Sequence, residues 1–155
     1  MGPPMNRKDM PFALPRSLPT RLGQTLAHWR GLLRGGAETP FADDVSVSEL
    51  RALAEDVVLL GVFQRPQRFR LDLAYAPDAP MIESDLLDRF VDEADLPAPL
   101  AFLQAQAAAT VEALAPTYYE RKSRGGEPGF GRLLLPAWGE GRVSLIVCAL
   151  QILRS

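Results

Sequence analysis

The segment GFGRLLLPAWGEGRVSLIVCAL, residues 129–150, contains two apolar runs joined by glycines. In the second run both the odd and the even positions are apolar, so a strand formed there has two apolar faces. Both faces of the sheet must then be covered by other parts of the structure at this strand. We therefore expect a long strand over residues 142–153, paired with a strand over 130–136 through a turn at Gly139 and Gly141.

A phosphate-binding loop is the competing interpretation of these glycines. Such a loop ends in Gly-Lys-Ser or Gly-Lys-Thr and lies between a strand and a helix. Neither residues 125–131 nor residues 139–141 contain a Lys followed by Ser or Thr, and β-prone runs follow both. The glycines therefore predict hairpin turns.

Periodicity of apolar residues predicts the other elements. Four apolar side chains at helical spacing make residues 20–34 an amphipathic helix: Leu22, Leu26, Trp29 and Leu33. A capping box at Ser46 begins a short helix. Short helical turns are expected over 82–91, and a longer helix over 99–114 follows them. The remaining predicted strands are 57–63, 69–75 and 117–122.

Composition limits the number of domains and the class of protein. A chain of 155 residues suits one domain, which we place at residues 18–155, after a proline-rich lead over 1–17 that we expect to be disordered. The formal net charge of -2 disfavours nucleic acid as a partner. Cys148 is the only cysteine, and no apolar run reaches the length of a membrane span or a signal core. We expect a cytoplasmic protein without a membrane span.

Two strands, a helical block and three further strands indicate an α+β fold with one antiparallel sheet. This order resembles that of PAS domains. The chain is similar in particular to a bacterial PAS-domain family with a Trp-Arg pair on an N-terminal amphipathic helix, here His28-Trp29-Arg30, and a strand pair, here Arg132-Leu-Leu-Leu-Pro136 with Gly141-Arg142. The resemblance covers residues 20–153. Residues 73–80, with two prolines, depart from the glycine-containing turn and helix that such families usually show.

The resemblance implies a PAS-like five-stranded antiparallel sheet with helices on one face and an N-terminal amphipathic helix. It also implies a sensory or signalling module that acts by protein–protein interaction and binds a small apolar ligand. We expect five residues to line such a pocket: Phe90, Leu103, Val111, Leu134 and Cys148. The two alternatives are a ligand-free interaction scaffold and a small enzyme that uses Tyr118, Tyr119, Glu120 and Arg121.

The second apolar face of the last strand must also be covered by another element. The helix face formed by Leu22, Leu26, Trp29 and Leu33 fits this role, either from the same chain or from a second one. A helix from a second chain would make the protein a homodimer, and a free helix face would receive a signalling partner. Both arrangements are predictions from the same residues.

Cofactor and metal sites have little support in the sequence. His28 is the only histidine and lies outside the helical block where a PAS-like haem ligand is expected. Cys148 lies in the last strand and not where a flavin-reactive cysteine would be. We therefore disfavour haem and flavin and assign no metal or catalytic residue. The acidic residues Asp85, Asp88, Asp92, Glu93 and Asp95 alternate with apolar ones, which predicts a solvated face.

Overall fold

The computed structural model describes residues 12–75 and 84–153. Three helices lie in these ranges: α1 (Thr20–Gly31), α2 (Val47–Leu53) and α3 (Leu103–Ala113). Five strands form one antiparallel sheet: β1 (Asp56–Phe63), β2 (Arg68–Tyr75), β3 (Thr117–Arg121), β4 (Gly129–Gly139) and β5 (Arg142–Leu153). The strand order is β2-β1-β5-β4-β3. The predicted α+β class and the five-stranded antiparallel sheet are confirmed.

Strand β5 is the middle strand, and both of its faces are buried. Ile146, Cys148 and Leu150 belong to the apolar cluster that contains α3, whereas Val147 and Ala149 belong to the cluster that contains α1 and α2. We call these two sides of the sheet the α3 face and the α1 face. Helices therefore cover both faces, because an apolar strand in the middle of a sheet needs contacts on each side. The implied arrangement, with the helices other than α1 on one face, is wrong for α2, whose Leu50 is buried with α1.

The hairpin between β4 and β5 has a two-residue turn. Gly139 pairs with Arg142, and the intervening Glu140 and Gly141 have φ angles of 56° and 77°. Two successive positive φ angles are typical of the type I′ turn, whose twist matches that of paired strands. The predicted hairpin at these glycines is confirmed.

Helix α1 lies against the sheet of its own chain. Leu22, Leu26 and Trp29 are buried there, and the Trp29 indole Nε1–H donates a 2.8 Å hydrogen bond to the carbonyl oxygen of Pro136. The helix ends at Gly31 instead of the predicted position 34, because the last turn tightens: the Leu32 and Leu33 N–H groups bond the carbonyls three residues before them.

The predicted helix over 99–114 is divided in two. A 3₁₀ turn spans Ala98–Leu100, Phe102 has a φ of 60°, and α3 begins at Leu103. In a continuous helix the Pro99 carbonyl would accept from the N–H of residue 103. Here it accepts a 3.0 Å hydrogen bond from Arg132 Nη1. The break before α3 thus coincides with a long-range hydrogen bond from Arg132, which the local sequence does not reveal.

Both sheet edges have additional contacts. At the β3 edge, Tyr118 N–H donates to the Phe12 carbonyl over 2.8 Å, and Leu14 packs on the α1 face. Phe12 and Leu14, which belong to the lead predicted to be disordered, therefore contact the domain; residues 1–11 lie outside the described ranges. At the β2 edge, Val91 N–H donates to the Phe69 carbonyl over 2.8 Å. The predicted departure at residues 73–80 lies largely outside the described part of the chain.

Candidate ligand-binding site

Four polar side chains lie together beneath α3, between the helix and strands β3 and β4. Gln106, Thr110 and Arg132 have no exposed surface, and Thr117 is 4% exposed. We call these four residues the polar layer. Arg132 is in this position because β4 alternates, which places it on the same face as Phe130 and Leu134 of the α3 cluster.

Hydrogen bonds connect the polar layer from one end to the other. Arg132 Nε–H donates to Gln106 Oε1 over 2.7 Å, and Gln106 Nε2 donates to Thr117 Oγ1 over 3.0 Å. The Thr110 hydroxyl donates to the Gln106 carbonyl over 2.8 Å, so Thr117 donates across the 2.7 Å hydroxyl contact to Thr110. These bonds fix the orientation of the Gln106 amide.

The charge of Arg132 has no anionic partner in the described part of the chain. None of the ion pairs among the described residues includes it, and its Nη2 has no hydrogen-bond partner there. Burial lowers the pKa of Arg132, and the ionisable groups that also act on this pKa are Cys148, Tyr119 and Arg121, none of them a carboxylate. Burying one ion costs several kcal/mol even after relaxation. A group of this kind is exceptional in a core.

Aromatic side chains connect Arg132 to the surface. The guanidinium carbon is 4.9 Å from the centroid of the half-buried Tyr119 ring. That ring contacts Phe102 and Phe12, each at 6.2 Å between centroids, and Phe130 at 5.9 Å. Phe102 is 64% exposed, which is unusual for a large apolar side chain. The polar layer is therefore one aromatic ring away from an exposed apolar residue.

The thiol of Cys148 lies on the same face and is fully buried. Burial raises the pKa of Cys148 to about 12, while the charge of Arg132 acts in the opposite direction. A thiol with this pKa is protonated at neutral pH. Cys148 therefore acts as a small apolar residue in the core and is not a nucleophile.

The structure brings four of the five predicted pocket residues to the α3 face. Leu103, Leu134 and Cys148 are buried in the α3 cluster, and Val111 packs against it. Phe90 lies at the β2 edge instead: its ring is 3.8 Å from the Arg68 guanidinium carbon and 5.5 Å from the Phe63 ring. The sequence prediction missed the polar layer. The one available signal was Gln106 and Thr110, four positions apart in an alanine-rich helix.

The four residues of the predicted partner face are not exposed to a partner, because they are covered by their own sheet. Leu22, Leu26 and Trp29 are at most 6% exposed, and Leu33 is half-buried against the same cluster. They contact Leu133, Leu135 and other residues of their own sheet. The last strand was predicted to be covered by this helix face from the same chain or from a second one, and the structure contains the first of these arrangements.

The four residues of the enzyme alternative are divided between the two faces of β3. Tyr118 faces the α1 side, where its hydroxyl donates to Glu120 over 2.7 Å, and burial raises its pKa above the usual value. Tyr119 lies against the α3 cluster, and the Arg121 guanidinium carbon lies 5.7 Å from the Phe130 ring. A tyrosine that holds its proton this firmly is a poor general base.

In the ranges that the structure describes, metal-ligating and charged side chains form no alternative site. All five acidic residues of the predicted solvated face are exposed, and two of them, Asp92 and Glu93, pair with Arg68. His28 Nε2 lies 3.2 Å from a carboxylate oxygen of Glu49. Within residues 12–75 and 84–153, no three His, Cys, Asp or Glu side chains form a group able to hold a metal ion.

A cleft of about 550 Å³ opens on the sheet beside the loop that contains Phe41. Two of its polar groups are engaged within the protein: Asp72 accepts from Arg70 at 2.5 Å, and Arg142 donates to the Val62 carbonyl at 2.7 Å. A site that holds a ligand needs polar groups with free bonding capacity. The polar layer meets this condition with a fully buried cation, Arg132, whose Nη2 has no partner among the described residues, and we therefore take it as the candidate site.

Comparison with known proteins gives no relative: no protein-family model, no curated protein and no solved structure matches the chain. Among the described residues, no helix combines the length and the apolar character that a bilayer crossing requires. The geometry of the site is therefore the basis for a functional proposal.

Proposed function

We propose that this chain is a PAS-like sensory or signalling module that binds a small ligand between α3 and the sheet and acts by protein–protein interaction. The antiparallel strand order and the position of α3 on one of the two faces fit a PAS-like architecture. The two sequence motifs of that resemblance also contact each other, because Trp29 bonds Pro136. These observations support the architecture.

The observation on which the ligand proposal rests is the buried guanidinium of Arg132. A fully buried cation with an unbonded Nη2 lowers stability unless something else offsets its charge. Groups that lower stability in this way concentrate at functional sites. A bound small molecule would supply the missing interaction.

Binding would become a signal by favouring one conformation over another. The segment 98–102 is the part of the α3 face best suited to change, since it is a 3₁₀ turn tied to Arg132 through the Pro99 carbonyl. The partner that responds, a second copy or a signalling protein, would contact a surface other than the buried side of α1. A single reduced cysteine fits a cytoplasmic location.

A ligand-free interaction scaffold is the second candidate. The tight burial of Leu103, Leu134 and Cys148 favours it, because each is at most 1% exposed. If the core is filled, the α3 face only stabilises the fold, and the protein contacts its partners through its exposed surface.

Native mass spectrometry of the protein as purified from cells separates the two candidates. A retained molecule gives a native mass above the denatured mass, and the same spectrum gives the oligomeric state. We expect a retained small molecule of one defined mass. A ligand-free monomer would contradict both ligand binding and homodimer formation and leave the scaffold.

A further inference from the structure

The free bonding capacity of Arg132 defines what kind of chemical group would satisfy it. A guanidinium has five N–H donors. Nε–H bonds Gln106 and Nη1 bonds the Pro99 carbonyl, whereas Nη2 has no partner among the described residues. Donors without acceptors call for an oxygen acceptor, and an uncompensated positive charge calls for an anion.

The surroundings of Arg132 define the rest of the ligand. Apolar residues of the α3 cluster surround the polar layer, among them Leu103, Phe130 and Leu134. One guanidinium offsets one negative charge, so a dianion in this core would leave a charge unpaired. A single carboxylate, planar and able to accept two parallel N–H bonds, matches the guanidinium better than a phosphate dianion.

We propose that the ligand is an amphipathic monocarboxylate whose carboxylate pairs with Arg132 and whose apolar part lies among the side chains of the α3 face. This inference rests on the proposed function, because it assigns a chemical class to the ligand of that same site. It predicts that the charged group, and not only the apolar part, determines affinity.

Binding of the carboxylate would also affect the segment 98–102. The carboxylate competes with the Pro99 carbonyl for Nη1, and the released carbonyl can then accept the N–H of residue 103 and extend α3. Phe102, exposed and in a left-handed conformation, is the residue whose backbone would have to change. Ligand binding would in this way be linked to the conformation of segment 98–102.

The test compares octanoate with octanamide, which has the same chain length and no charge. Isothermal titration calorimetry on the full-length wild-type protein gives both dissociation constants, below the concentration at which octanoate forms micelles. We expect octanoate to bind at least about thirtyfold more tightly, because losing one partner of a buried charge pair weakens binding by that much or more. This comparison needs no variant, so it does not depend on how a substitution affects folding.

Two substitutions locate the effect. Arg132→Met should weaken octanoate binding at least about thirtyfold and leave octanamide within about threefold. Arg124→Met removes the same charge from the exposed turn between β3 and β4 and should change neither constant. Proton–nitrogen spectra of the arginine side chains should show the Arg132 signal shifting with octanoate.

The failures of the two proposals are distinguishable. Equal affinity for octanoate and octanamide, unchanged by Arg132→Met, would overturn the anionic class and leave a neutral apolar ligand in the site. Absence of binding by both probes would also overturn it. The retained mass of the purified protein decides the proposed function separately, and a retained molecule without an acidic group would overturn the present inference alone.

Discussion

Successive side chains of β4 point to opposite faces of the sheet, and the two faces are closed by different means. On the α1 face, Leu133 and Leu135 meet an apolar helix, and the indole of Trp29 bonds Pro136. On the α3 face, Arg132 lies two positions before Leu134 in the strand and is buried within the polar layer. The α1 face is closed by apolar contacts that contribute stability, whereas the α3 face contains a buried charge that lowers it. Under the proposed function, this loss of stability serves ligand binding.

The largest effect is expected on the α1 face. Trp29→Ala removes a side chain that is 4% exposed together with its bond to Pro136, so it should lower the free energy of unfolding by about 3–5 kcal/mol. Urea denaturation measures the change. Arg30→Ala, at the exposed neighbouring position, is the control and should stay within about 0.5 kcal/mol. A small loss for Trp29→Ala would show that α1 does not hold this face.

The next effect tests the polar layer. Gln106→Ala leaves the Nε–H of Arg132 without its acceptor, and the loss should be about 2–3 kcal/mol because the abandoned donor is charged and buried. Glu112→Ala on the exposed side of α3 is the matched control for helix propensity. If both variants unfold at the same urea concentration, the Gln106–Arg132 bond contributes nothing to the α3 face.

A third effect tests how tightly the α1 face is packed. A methyl group on Gly131 would lie 2.5 Å from the Tyr118 hydroxyl oxygen and 3.2 Å from a methyl carbon of Leu22. Gly131→Ala should therefore lower the free energy of unfolding by about 1–3 kcal/mol. Tyr118→Phe in the same chain removes the nearest atom and should recover part of the loss. Additive effects of the two substitutions would contradict the contact.

The smallest effect concerns the outer edge of the sheet. The hydrogen bond with Arg68 lowers the pKa of Asp92, so the pair stabilises the fold above the pKa of an unfolded Asp, about 3.9, and its contribution disappears as the pH falls through the lower folded value. Melting temperatures at pH 5 and pH 3 should differ slightly less in Asp92→Asn than in wild type. Asp95→Asn, at another exposed carboxylate, is the control. An identical pH dependence in wild type and Asp92→Asn would show that the Arg68–Asp92 pair does not stabilise the fold.

Sequence patterns were enough to predict the parts of the fold that depend on neighbouring residues. Apolar residues on both parities of β5 predicted that both of its faces are covered, and the glycines predicted the turn between β4 and β5. The site was not predictable in the same way. Whether Arg132 faces the core depends on what covers each face of β4, and the break before α3 involves a carbonyl bonded 33 positions away along the chain. Such contacts leave no local pattern.

The central claim is that the charge of Arg132 is kept for binding and not for stability. Its most direct test is the free energy of unfolding of the double variant Arg132→Met and Gln106→Leu, which replaces the charge and its acceptor by apolar groups together. Because well-packed apolar replacements of buried charges are often neutral or stabilising, we expect the double variant without added ligand to be at least as stable as wild type. A loss of more than about 2 kcal/mol would contradict the claim and make the polar layer a stabilising part of the fold.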